Sequence, residues 1–128
     1  MRQTRQSLSC TESGQATVEL ALILPIILLL GGALFQFGLI VVNQLAVWDA
    51  ARSAARAAAV STDPQVAELA ANNSVSIRPL KVTITTFDDV VSAHVEYVEQ
   101  TNLPLIGLLF PAVTLEASVA MLNESPLP

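Results

Sequence analysis

The chain has 128 residues, a formal charge of −5 and one cysteine, and 52% of its residues are hydrophobic. That length accommodates one domain plus an anchor, and the apolar excess is high for a water-soluble domain. The acidic balance leaves no electrostatic footprint for a nucleic-acid partner, and Cys10 alone excludes a disulfide framework within the chain and a Cys-rich metal site.

The first fourteen residues are polar, with Arg2 and Arg5, and the chain then turns apolar. Over residues 20–42 every position is apolar, Gly or Pro except Gln36. A helix of that length reaches ~35 Å at ~1.5 Å per residue, enough to span a bilayer core of ~30 Å with some tilt. A buried core helix of a soluble domain would not need so long an unbroken run. Arg2 and Arg5 precede the span, whereas Arg52 and Arg56 follow it by ten or more positions. The first helix usually sets topology and basic residues stay inside, so the N-terminus is expected in the cytoplasm and residues 61–128 outside. A secretory signal peptide would have a shorter apolar core ending at a small-x-small site. A lipoprotein signal fails because Cys10 comes before the apolar run.

Glu19 stands one residue before that run, where a plain anchor would gain from Leu. A carboxylate at membrane depth costs up to a few kcal/mol, and less near the interface. Pro25, six residues on, removes one backbone bond and is expected to kink the helix near Ala21. Gly31, Gly32 and Gly38 offer small surfaces for helix contacts, without a GxxxG pair.

Residues 14–20, GQATVEL, resemble the processing site of type IV-class prepilins: a basic leader ending in Gly, and Glu at the fifth mature position. The wider stretch resembles TadE-like pseudopilins of tight-adherence pili, through GQATVELALILPIILLL, Phe35-Gln36-Phe37-Gly38, Asn43-Gln44-Leu45-Ala46 and AARSAARAAAV. The tail, HVEYVEQTNLP and VTLEASVAML, is similar to that family less specifically. The resemblance implies cleavage between Gly14 and Gln15 by a prepilin peptidase, with other pilins or pseudopilins and an inner-membrane assembly platform as partners. It also implies that the Glu19 carboxylate meets the N-terminal amine of a neighbouring subunit, offsetting the burial of both charges when subunits stack in register. The other reading is an interfacial Glu stabilised by the helix dipole. Leu20 replaces the Tyr of the small major pilins, which implies a minor subunit.

Past the span, residues 43–60 lack Gly and Pro and are Ala-rich, so one helix is expected from roughly 17 to 60. Asp49 and Arg52 can pair one turn apart, with Arg56 a turn further. Ala50, Ala54 and Ala58 form a smooth stripe, and Leu45 and Trp48 are expected to begin an apolar side continued by Ala51, Ala55 and Ala59. Ser61-Thr62-Asp63-Pro64 ends this helix, with Asp63 as N-cap and Pro64 as first residue of a short helix reaching about Ala71 and stopping at Asn72-Asn73. The period then becomes two: Leu80, Val82 and Ile84; Val91, Ala93, Val95 and Tyr97; Val113, Leu115, Ala117, Val119 and Met121. Asp88-Asp89 marks a hairpin turn. Three strands with one apolar face need a cover, and the Ala-rich helix is the available element.

The expected fold class is therefore α+β, pilin-like: a long transmembrane helix continuing into an amphipathic spine on a small three-stranded antiparallel sheet. The domain plan is a leader at 1–14, helix at 15–60 and extracytoplasmic α+β domain at 61–128. The apolar link 103–111, LPLIGLLFP, is expected over the sheet edge, at the membrane surface or on a partner. No catalytic constellation, metal site or cofactor motif is read: His94 is the sole histidine, on the polar side of a strand, and there is no Gly-rich phosphate loop. The rival assignments are an uncleaved signal-anchor protein with a ligand- or envelope-binding domain, and a secreted domain freed by signal peptidase.

Overall fold

The computed structural model describes residues 9–61, 63–100, 107 and 112–124, with side chains from Gly14 onward. The first eight residues of the expected leader and nearly all of the 103–111 link lie outside the described residues. Two helices precede three strands: α1 (Ser9–Val60), α2 (Pro64–Ser74), β1 (Leu80–Phe87), β2 (Val90–Gln100) and β3 (Ala112–Leu122). The strands form one antiparallel sheet in the order β1-β2-β3. The fold is α+β, with a long N-terminal apolar helix and a three-stranded sheet, as expected.

The chain divides into two units, one up to Phe35 and one from Gln36. In the first unit, the described residues are a single stretch of α1. This helix starts at Ser9, earlier than the expected residue 17. No proline precedes Pro25, and one Gly is a weak breaker costing about 1 kcal/mol, so the helix passes through Gly14. Pro25 also lies inside α1, which continues beyond it.

In the second unit, residues 36–60 of α1 and the short helix α2 cover one face of the sheet. The core is made of Val47, Ala50, Ala51, Ala54, Ala55 and Ala58 from α1, Ala67 and Ala71 from α2, and Val91, Ala93, Val95, Leu115 and Ala117 from the strands. Leu45 and Trp48 do not begin the packed side: they are 61% and 40% exposed, and Val47 is fully buried in their place. At 100° per residue, Trp48 falls on the flank of a face centred on Val47, Ala51, Ala54 and Ala58. A face of alanines brings the helix backbone close to the sheet, where an indole would hold the two apart. Gln36 shares this face with Ile40, Asn43 and Val47 and is buried, its Nε2 without a hydrogen-bond partner.

The ends of the elements follow local chemistry. Asp63 Oδ1 accepts from the Gln65 amide at 2.9 Å and Pro64 opens α2, as the sequence predicts. Asn72-Asn73 do not stop α2, which continues to Ser74. The Arg78 guanidinium donates to the Asn72 carbonyl at 2.9 Å, and Ser74 Oγ donates to the Ala71 carbonyl at 2.8 Å, satisfying late carbonyls. The Ala59 carbonyl near the end of α1 accepts from the Glu124 amide at 2.9 Å, just past β3. Asp88 turns the β1–β2 hairpin with φ of 54°, a left-handed value that Asp tolerates better than most residues.

Candidate functional site

The strongest candidate is the apolar half of α1. From Gly14 to Gly31 every side chain is exposed, including Leu22 at 68% and Leu28 at 66%. Part of α1 within Gly14–Val60 is long and apolar enough to cross a membrane, and none of that window is buried within the molecule. A core helix of a soluble protein would be mostly buried, so this helix fits single-pass membrane anchoring.

Gly14, Gln15, Glu19 and Pro25 all sit on this stretch. Gln15 and Glu19 are four apart and share a helix face, and five residues of rise separate Gly14 from Glu19, about 7.5 Å. Space around Gly14 is open: a Cβ built there would meet nothing within 4 Å. The same holds at Gly31 and Gly38, so close packing within the chain does not account for these glycines.

A second group of polar residues ties α1 to the strands, and sequence reasoning gave it no role. Asn43 Nδ2 donates to Glu99 Oε2 at 2.7 Å, and Gln44 Nε2 donates to the Glu116 carbonyl at 2.9 Å. Burial pushes the Tyr97 phenol above its usual range, helped by its hydrogen bond to the neighbouring Glu99 carboxylate. Adjacent amides where an apolar run ends were the available signal; their partners depended on strand register. By contrast, Asp49 and Arg52 pair as expected, 3.8 Å apart and largely exposed. Such a pair contributes little.

His94 lies on the open sheet face, as its strand period predicts, but it has company. Its Nε2 is 3.3 Å from Glu96 Oε1 and 3.8 Å from Glu116 Oε2. Lys81 Nζ lies 3.0 Å from Glu96 Oε2, and its hydrogen bond and charge lower the Glu96 pKa. Sequence reasoning missed the trio because Glu116 joins it only through the β2–β3 pairing.

No curated protein and no solved structure matches the chain. A family model described as TadE-like protein does match, over residues 14–56, beginning at the glycine that ends the expected leader. The similarity to TadE-like proteins is confined to that segment, which holds the exposed apolar stretch and most of the alanine stripe.

Proposed function

We propose that the protein is a minor pilin or pseudopilin, a non-enzymatic subunit that takes part in assembling a tight-adherence pilus. The observation that carries this reading is the coincidence of the segment similar to TadE-like proteins with the exposed apolar part of α1, with Gly14 and Glu19 near the start of both. A prepilin peptidase cuts after Gly14 on the cytoplasmic side, leaving Gln15 as the new N-terminus. The α-amine so created is one helical turn from Glu19 of its own chain. Within a fibre, Glu19 meets the N-terminal amine of the next subunit. The cost of bringing each charge out of water is offset only when the helices stack in register. Large side chains such as Leu22, Ile26 and Leu30 supply the apolar surface for that stack. The sheet domain lies outside the cytoplasmic membrane and selects neighbours, including the assembly platform.

The deciding experiment is N-terminal sequencing of membrane-extracted protein, with the cognate peptidase present and absent. A peptidase-dependent start at Gln15 is expected. An intact leader under both conditions would overturn the reading in favour of an uncleaved signal-anchor, and a start beyond the span would indicate a secreted domain. Glu19→Leu is expected to leave insertion intact while fewer subunits enter fibres, measured by immunoblot of sheared pili. Unchanged incorporation would return Glu19 to a helix-dipole role.

A further inference from the structure

The open face of the sheet carries an arrangement that an antiparallel pair would ordinarily avoid. Glu96 and Glu116 are direct partners in the β2–β3 register, and like charges directly opposite one another destabilise a sheet. Lys81, the partner of Glu96 across the β1–β2 pair, answers half of this repulsion. It takes Glu96 Oε2 at 3.0 Å and leaves Oε1 turned toward His94 Nε2 at 3.3 Å. Glu116 Oε2 approaches the same nitrogen at 3.8 Å, so one imidazole atom faces two carboxylate oxygens at once.

We propose that His94, Glu96 and Glu116 form a binding site for a divalent cation of the zinc class. Their ligand atoms lie within 4.8 Å of one another. Tetrahedral zinc with bonds of about 2.0–2.1 Å holds its ligand atoms about 3.3 Å apart. The His94–Glu96 pair already has that spacing. Glu116 is 67% exposed and free to close the remaining gap by a change of rotamer. One imidazole nitrogen with two carboxylate oxygens suits zinc better than calcium, which prefers an all-oxygen shell. Three protein donors leave the fourth position to water or to a group from another molecule. The strand backbone places all three residues side by side, since His94 and Glu96 are two residues apart on one face and Glu116 is set by register. The bound cation would replace the Glu96–Glu116 repulsion with a bridge from β2 to the edge strand β3. This inference is independent of the pilus reading, because it uses only the sheet.

The test is calorimetric titration of zinc chloride into the full chain in detergent micelles, in a Cys10→Ser background so that the thiol contributes nothing. One zinc per chain is expected. His94→Ala and, separately, Glu116→Gln should each weaken binding by about tenfold or more. Circular dichroism of each variant separates a lost ligand from a lost sheet, and the near-isosteric Glu116→Gln keeps the test valid if His94→Ala misfolds. Lys81→Ala, which frees the second oxygen of Glu96, should preserve or tighten binding. Absence of zinc binding by the parent, or equal binding by the parent and both ligand variants, would overturn the site and leave an ion-pair cluster.

Discussion

The two ends of helix α1 treat apolar side chains in opposite ways. Between Gly14 and Phe35 half of the residues are Leu, Ile or Val, and nearly all of the stretch is exposed. From Gln36 to Val60 the buried face is mostly alanine, with Val47 its largest fully buried side chain. A water-soluble protein would arrange these the other way round, with large apolar groups inside. The contrast shows that side-chain size, more than hydrophobicity alone, distinguishes the surfaces. The first stretch leaves large apolar side chains on the surface, as membrane anchoring requires. The second offers a smooth ridge against which a sheet can lie closely.

Substitutions that enlarge the ridge should therefore be the most damaging. Ala54→Leu inserts three carbons at a fully buried position and is expected to destabilise the folded unit by about 3 kcal/mol. Chemical denaturation of the full chain in micelles, followed by the far-ultraviolet signal of the sheet, would measure this. A neutral result would mean that the helix does not seat closely on the strands. Val95→Ala, at the other fully buried valine, should cost about 2 kcal/mol through lost burial and a residual cavity. Asn43→Ala removes the donor to Glu99 and should cost about 1 kcal/mol in the same assay.

The exposed stretch supplies the control. Leu28→Ala, on the same helix at 66% exposure, is expected to change the stability of the sheet unit by less than about 0.5 kcal/mol. A larger change would show that residues 14–35 stabilise the fold and are not reserved for outside contacts. The smallest signal is Tyr97, the only tyrosine. Its phenol titrates above 10.0 in the folded protein, first through burial and then through Glu99. A raised pKa stabilises the fold fully below the unfolded value, and that contribution disappears as pH rises through the folded one. Tyrosinate absorbance at 295 nm should thus have a midpoint above 10 that returns to the ordinary value in denaturant.

Much of this fold was legible because its signals are local. The shift from a continuous apolar run to period two located the strands, and Asp63-Pro64 placed the start of α2. The alternation of Val91, Ala93 and Val95 also predicted the buried face. Trp48 was misplaced because helical spacing gives a stripe but not its centre. The centre depends on where the sheet docks, and docking favoured small residues on the side of Val47. Gly14 and Glu19 were singled out by spacing and resemblance, while their environment of open surface came from the structure.

The sequence by itself determined the elements, the face each strand turns inward and the presence of an apolar stretch long enough to span a bilayer. These follow from the 3.6- and 2.0-residue periods and from the length of an uninterrupted run. Tertiary structure alone decided that Asn43 meets Glu99, that Val47 anchors the helix and that Glu116 stands opposite Glu96 beside His94. Each of these joins residues far apart in the chain. Such contacts are set by register and docking, in which every residue of two elements takes part, and no local pattern encodes them.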